Sequence, residues 1–211
     1  MKLYISRNSL LKLFCIMMAV IAFSSQAYAI TPAEALQKAK AKVAGASSLS
    51  ASFSMKDGGK PINGKIWQKG KKFAITSNYS SNWYNGTDLY TYLPSKGETT
   101  IFRPTASELA ETNPLMYIQA ASNFNVMGSK TAKAGVTTVV LVPKKSGTGV
   151  KNVTIDLDNK TFLPKMIKLT PSSGGVVTIN ISGISLNGNL ADSSFEYPKS
   201  KYPKAKIVDM R

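Results

Sequence analysis

Alternation of apolar and polar residues, interrupted by short turn signals, is the feature that most restricts the fold of this chain. From Leu49 to Lys56, apolar residues at the odd positions alternate with serines and a lysine. A period of two is typical of a half-buried β-strand. Asp57-Gly58-Gly59 follows as a turn signal. Because the next apolar segments are also short and closely spaced, the pattern predicts an antiparallel meander.

Further turn signals separate the other predicted strands. They stand at Gly70-Lys71-Lys72, at Asn85-Gly86 and at Asp158-Asn159-Lys160. The predicted strands cover approximately residues 49–56, 64–68, 73–77, 89–93, 99–102, 136–142, 153–157, 162–169, 177–186 and 194–197.

The strand that begins at Val177 changes its parity. Apolar residues occupy odd positions as far as Ile181 and even positions from Ile184 onward. A slip of one residue at Ser182-Gly183 predicts a β-bulge, which bends a strand and increases its twist. A sheet curved in this way needs its concave face filled or covered.

Few helices are available for that cover. Thr31-Pro32-Ala33-Glu34 has the residues of a capping box with proline in the first turn, and the helix should end at Gly45. Two short helices are predicted midway, one at 107–111 and one from the N-cap Asn113 to Ala121. The expected fold is therefore mainly β with α, a curved antiparallel sheet with a helical cover.

Residues 1–29 have the pattern of an export signal. Three basic residues precede the apolar run Leu13–Phe23, and small residues follow up to Ala29. A run of 11 residues is too short for a bilayer span, which needs about 20. We expect cleavage near Ala29, release into the periplasm, and a single domain formed by residues 30–211.

The usual reactive side chains are missing from the sequence. Cys15 is the only cysteine and lies in the predicted signal, and the chain has no histidine. Disulfides, a thiol nucleophile, the common zinc ligands and the commonest general base are therefore not expected after cleavage. We expect no enzyme activity, no metal site and no cofactor.

The charge of the chain is strongly basic. Lysine and arginine number 27 against 11 acidic residues, and three of the basic residues lie in the predicted signal. The charges are spread along the chain without a long basic block. Two interpretations stay open, a solvated basic surface or attraction to anionic lipid or an acidic partner. Nucleic acid is not an expected partner of an exported chain.

Aromatic and methionine residues are concentrated in apolar settings. Methionine adapts its shape and suits adaptable apolar surfaces. Ordinary core packing and a deep apolar cavity both remain open as explanations. The residues concerned are Trp67, Tyr79, Trp83, Tyr84, Tyr90, Tyr92, Met55, Met116, Met127 and Met166.

Four segments, taken in order, resemble motifs of the LolA family of lipoprotein carriers. Gly64–Phe73 is similar to the family's G-x-(L/I)-W followed by R-P-G-K-F, and Tyr84–Tyr92 to its D-G-x-x-L-W-x-Y strand. Asn113-Pro114-Leu115 resembles the start of a helix, and Phe195–Pro198 resembles the C-terminal F-x-F-x-P. The resemblance covers essentially the whole chain after the predicted signal.

This resemblance implies a half-open β-barrel closed by a helical lid. It also implies a monomeric periplasmic carrier that binds the acyl chains of lipoproteins. Such a carrier receives them from an inner-membrane ABC exporter and delivers them to an outer-membrane acceptor, without a cofactor or catalysis. The alternative is a periplasmic sensor or an outer-membrane acceptor of the same fold.

Candidate site residues follow from strand alternation and from the resemblance. Lys69 is the candidate lid latch, because it aligns with a family arginine if Phe73 sets the register; alignment on Trp67 instead puts Gly70 there. Lysine keeps the charge of arginine but lacks its planar fork of donors. The expected acyl-chain cavity comprises Phe53, Met55, Ile66, Phe73, Ile75 and Leu89, and the expected lid residues are Leu115, Met116 and Ile118.

Overall fold

The computed structural model describes residues 30–57, 59–129 and 133–211. The predicted export signal, residues 1–29, lies outside the described residues. Residues from Thr31 to Arg211 form one compact unit. No helix in the described part of the chain is long and apolar enough to cross a bilayer.

One sheet of twelve strands dominates the structure, in the order β12-β6-β5-β4-β3-β2-β1-β11-β10-β9-β8-β7. All neighbours are antiparallel except β12, which runs parallel to β6. The sheet is curved and does not close into a barrel, so the predicted half-open barrel with few helices is confirmed. The strands are β1 Leu49–Asp57, β2 Lys60–Lys69, β3 Lys72–Ser77, β4 Ser81–Tyr84, β5 Leu89–Leu93, β6 Glu98–Phe102, β7 Phe124–Gly128, β8 Val136–Pro143, β9 Val150–Asp158, β10 Pro164–Pro171, β11 Val177–Leu186 and β12 Lys206–Asp209.

The helices lie on one face of the sheet, which we call the concave face. They are α1 Pro32–Gly45, α2 Ala106–Thr112 and α3 Met116–Gln119, followed by a 3-10 helix at Ala121–Asn123. Two further 3-10 helices, Asp192–Phe195 and Lys199–Lys201, lie in the segment that covers the opposite face. The predicted capping box of α1 is present, since the Thr31 hydroxyl accepts from the Glu34 N–H and the Glu34 carboxylate accepts from the Thr31 N–H. The buried side of α1 packs against β7, β8 and β9.

Several local predictions differ from the structure. The helix expected from Asn113 begins only at Met116, because Asn113 still closes the end of α2. The strand expected at 194–197 is wrong, since residues 194–196 belong to the 3-10 helix Asp192–Phe195 and its C-cap, and Tyr197 has no regular secondary structure. Strands β4, β7 and β12 were not predicted. All three are short, and β7 and β12 form the two ends of the sheet.

The predicted bulge in β11 is confirmed. Between the pairs Ser50–Ser185 and Ser52–Ser182, β11 contains one more residue than β1. Gly183 lies at this point with φ of +58°, a conformation that side chains with a Cβ rarely adopt. The bulge lets β11 place apolar side chains on the concave face on both sides of the bend.

The opposite, convex face of β2 to β5 is covered by the segment after β11. Phe195 inserts between Ala74 and Trp83 and is 0% exposed. Tyr197 stacks on Tyr90 with ring centroids 5.7 Å apart. The remaining members of this convex cluster are Trp67, Tyr92, Leu190 and Tyr202. Trp67, Trp83, Tyr90 and Tyr92 therefore belong to a second core, whereas Tyr79 and Tyr84, the other two aromatic residues considered for a cavity, line cavities on the concave face.

Polar contacts also hold the segment after β11 against the sheet. The Asp192 carboxylate pairs with the Lys69 ammonium at 2.8 Å and the Lys72 ammonium at 3.0 Å. Hydrogen bonds from Lys69 and then from Lys72 lower the pKa of Asp192 below its ordinary value. The Thr99 hydroxyl donates to the Tyr197 hydroxyl at 2.9 Å. The convex face is thus closed by apolar packing and by polar contacts at its margin.

Replacing Phe195 with alanine should lower the free energy of unfolding by about 3–5 kcal/mol, because a fully buried aromatic ring is lost and a cavity remains. Urea titration followed by tryptophan fluorescence measures the change. Tyr79→Ala is the matched control, since Tyr79 is 59% exposed and should cost less than about 0.5 kcal/mol. Equal losses in the two variants would contradict the convex core.

Tyr117 in α3 supplies a pH-dependent test of the helical packing. Burial, and next the charge of Glu111, raises the pKa of Tyr117 from 10.0 to about 12. The folded state holds the phenolic proton of Tyr117 more tightly than the unfolded chain does. The contribution of this proton to the free energy of unfolding is therefore complete below pH 10 and is lost as the pH rises toward 12.

We expect Tyr117→Phe to gain stability relative to the unmodified protein as the pH rises through that interval. Urea unfolding of both proteins at matched pH values measures the difference. A difference that does not change with pH would show that the hydroxyl is not protected by the fold.

Candidate functional site

A half-open groove of about 400 Å³ lies on the concave face, where the sheet extends beyond the helices. Its size falls in the usual range for small-ligand pockets, about 300–1,000 Å³. Strands β1, β2, β3, β10 and β11 build its apolar wall, and the end of α2 forms one side. The apolar and aromatic lining residues are Phe53, Met55, Ile62, Ile66, Ile75, Tyr79, Pro114, Leu169, Val177 and Ile179, and the polar ones are Ser77, Ser80, Asn82, Glu111 and Thr112.

Strand pairing explains why these side chains meet. Phe53 pairs with Ile181 of β11 and with Gly64 of β2, so side chains of one parity share the concave face across the sheet. A methyl group on Gly64 would lie 2.5 Å from the Phe53 ring. The missing side chain at Gly64 therefore lets the Phe53 ring lie across β2.

Four of the six residues predicted for the cavity line this groove, namely Phe53, Met55, Ile66 and Ile75. Phe73 lies instead beneath the helices, where it lines a smaller cavity of about 250 Å³ with Tyr84, Leu109 and Met116. Leu89 is 1% exposed and pairs with Tyr84. The structure thus separates an open groove from a closed region beneath the helices.

The predicted lid residues belong to that closed region. Leu115 and Ile118 are 0% exposed, and Met116 shares the smaller cavity with Phe73. Leu109 and Ala110 bury one side of α2. The short helices therefore cover the part of the concave face beside the groove with apolar side chains.

A buried polar pair joins the helical cover to the sheet. The Asn113 side-chain amide donates to the Gln68 side-chain oxygen at 3.3 Å, and both residues are buried. The Asn113 oxygen accepts from the Leu115 N–H at 3.2 Å. The side chain of Asn113 thus connects the end of α2 and the start of α3 to strand β2.

Lys69, the candidate latch, follows Gln68 in β2 and therefore lies on the other face of the sheet. Its ammonium group donates to the Leu190 carbonyl at 3.0 Å and pairs with Asp192. It contacts the C-terminal segment on the convex side and not the helices. Gln68 is the β2 residue that the structure places against the cover.

Several residues that line the groove were not identified from the sequence. Ile62 could have been found from alternation, since it shares the parity of Ile66 in β2. Val177 and Ile179 share the parity of Ile181, which pairs with Phe53. Gln68 and Asn113 gave no such signal, because a buried amide pair looks like any two polar residues in a sequence. Glu111 also gave no signal, since its position depends on where α2 lies.

The groove is suited to binding apolar chains. Its wall consists mainly of aliphatic and aromatic side chains, and each buried CH₂ of a ligand contributes about 0.8 kcal/mol. In the described part of the chain, no three acidic, histidine or cysteine residues come close enough to hold a metal ion. Buried side-chain polar atoms among these residues all have hydrogen-bond partners.

Comparison with solved structures finds several proteins that are similar to this chain. An uncharacterized conserved protein from Thermus thermophilus has a TM-score of 0.56 at 11% identity, covering 84% of this chain and 98% of that one. A LolA superfamily protein from Nitrosomonas europaea has a TM-score of 0.47 at 12% identity, covering 80% and 99%. A putative outer membrane lipoprotein-sorting protein domain from Vibrio parahaemolyticus has a TM-score of 0.44 at 11% identity, covering 82% and 99%.

The Thermus structure supports the fold of this chain and nothing beyond the fold. A search of curated proteins finds no significant match to the sequence. The family model for the outer membrane lipoprotein carrier protein LolA matches residues 23–174, a segment that runs from α1 through the groove strands β1 to β3 and as far as β10. The chain therefore belongs to the LolA family of outer membrane lipoprotein carrier proteins.

Proposed function

We propose that this protein is a periplasmic carrier that binds the acyl chains of lipoproteins in the concave groove. The half-open apolar groove beside a short helical cover is the observation that carries the proposal. Residues 1–29 direct export and are removed near Ala29. The mature monomer receives lipoproteins from an inner-membrane ABC exporter and passes them to an outer-membrane acceptor.

Reversible binding needs the cover as well as the groove. Full burial of one acyl chain of 16 carbons would contribute about 12 kcal/mol at about 0.8 kcal/mol per CH₂. Several chains held in this way would not be released on a useful timescale. Displacing Leu115 and Ile118 from their buried positions opposes loading, so the net affinity is lowered and the ligand can leave.

The decisive experiment is lipoprotein release. Inner-membrane vesicles that contain an active exporter and a labelled lipoprotein are incubated with the purified mature protein. We expect a soluble complex of the two proteins in the supernatant after centrifugation. A supernatant without the lipoprotein would overturn the carrier role, and binding of a protein ligand that carries no acyl chain would favour the sensor alternative.

Met55→Glu should abolish this release, because a carboxylate in the groove must lose its hydration when an acyl chain covers it. Met127→Glu is the matched control, since Met127 is 55% exposed on β7 and lies outside the groove lining. Both variants should fold, which circular dichroism verifies. Equal release by the two variants would place acyl binding elsewhere.

Gln68→Leu should loosen the cover. The substitution keeps much of the side-chain volume but leaves the buried Asn113 amide without its acceptor, at a cost of about 1–3 kcal/mol. We expect faster amide exchange in residues 113–119 and tighter binding of a fluorescent fatty acid, because less free energy is needed to open the cover. Lys69→Leu, which removes the contact on the other face, should leave exchange in residues 113–119 unchanged.

A further inference from the structure

A second cavity adjoins the groove beside the end of α2. It has a volume of about 510 Å³, and its wall shares Glu111 and Leu169 with the groove. Its lining differs from that of the groove, since the carboxylate and two serines stand beside small and aliphatic residues. The other lining residues are Gly149, Val150, Pro171, Ser172 and Ser173.

Glu111 lies where the apolar groove passes into this polar cleft. Its carboxylate accepts from the Ser107 hydroxyl at 3.4 Å, and the Ser107 hydroxyl also contacts the Thr148 carbonyl at 3.3 Å. Gly149 faces the carboxylate, and a methyl group there would lie 2.5 Å from the Glu111 side-chain oxygen. The absence of a side chain at Gly149 keeps room for Glu111 at the junction.

In the part of the chain that the structure describes, Glu111 has neither an ion pair nor a helix-capping role, a situation that it shares with Glu196. Six acidic residues form ion pairs with lysine or arginine, namely Asp88, Glu98, Asp156, Asp158, Asp192 and Asp209. Glu34 and Glu108 cap helices. Among the described residues, no lysine or arginine forms an ion pair with Glu111, although basic residues outnumber acidic ones more than twofold.

We infer that the cleft receives the polar head of the ligand and that Glu111 binds its free amine. The ligand class is an N-terminal cysteine that carries acyl chains on its sulfur-linked glycerol and retains an unmodified α-amino group. The acyl chains occupy the groove, and the ammonium group lies at the junction. This inference rests on the proposed function and names the chemistry that the same site selects.

Geometry and charge both favour this arrangement. An amphiphile of this kind changes from apolar to polar within a few bonds, as the wall does at Leu169 and Glu111. A carboxylate attracts an ammonium group but offers little to an amide, whose N–H carries no charge. Because Glu111 is solvent-exposed, the attraction is modest, and preference for the free amine should be about two- to fivefold.

Two diacylated cysteinyl peptides that differ only in acetylation of the α-amine provide the test. Their affinities for the mature protein are measured by displacement of a fluorescent fatty acid at low salt. We expect the free amine to bind about two- to fivefold more tightly, with the preference shrinking as salt is added. Glu111→Gln should lower the affinity for the free amine to that for the acetylated peptide, so that the preference disappears.

Glu196→Gln is the matched control. Glu196 is also exposed and has no ion pair among the described residues, but it contacts Asn85 far from the groove. Its substitution should leave the preference intact. If both peptides bind the unmodified protein equally, the role of Glu111 is overturned while acyl binding stands. If neither peptide binds, the proposed function fails together with this inference.

Discussion

Both faces of strands β2 to β5 are apolar, and the rest of the structure depends on how each face is covered. The large apolar side chains on the convex side of these strands are the aromatic residues Trp67, Trp83, Tyr90 and Tyr92. The concave side carries the aliphatic residues Ile62, Ile66, Ile75 and Leu89 together with Phe73 and Tyr84. A sheet with two apolar faces is stable only between two layers. The C-terminal segment supplies one layer, and the short helices supply the other.

The C-terminal segment covers the convex face of these strands, whereas the short helices cover only part of the concave face. The uncovered part of the concave face is the groove. On the convex side, Phe195 fills the centre of the aromatic cluster, and the Asp192 ion pairs hold the margin. On the concave side, α2 and α3 are 7 and 4 residues long and cannot extend over the whole face. The uncovered part, around Phe53 and Ile75, remains open to a ligand.

Strands with clear alternation and flanking turn signals could be predicted from the sequence, as could the capping box at Thr31 and the bulge at Gly183. The pairing of β12 with β6 could not, because Lys206–Asp209 has no strong pattern and becomes a strand only where β6 offers an unpaired edge. The segment around Phe195 was misassigned for a related reason. Its aromatic spacing suits a strand, but the convex surface that it covers favours a compact turn.

The candidate site was predictable only in part, for a physical reason. Alternation shows which side chains of a strand share a face, so Phe53, Met55, Ile66 and Ile75 could be grouped together. Alternation does not show where the helical cover ends, and that boundary decides that Phe73 lies beneath the helices while Ile75 lines the open groove. The boundary is set by Gln68 and Asn113, whose contact joins residues 45 positions apart.

The same asymmetry decides which side of the molecule can move. Helices of 4 and 7 residues have no independent stability in water, so packing alone fixes their position. They are attached by a few buried apolar side chains, the Gln68–Asn113 amide pair and the Ser107–Thr148 hydrogen bond. The convex layer combines an aromatic core with ion pairs and a paired strand. In the proposed carrier, opening on the concave side therefore disrupts fewer kinds of contact than opening on the convex side, and it leaves the sheet intact. The ligand then lies between the strands of the sheet and the helical cover.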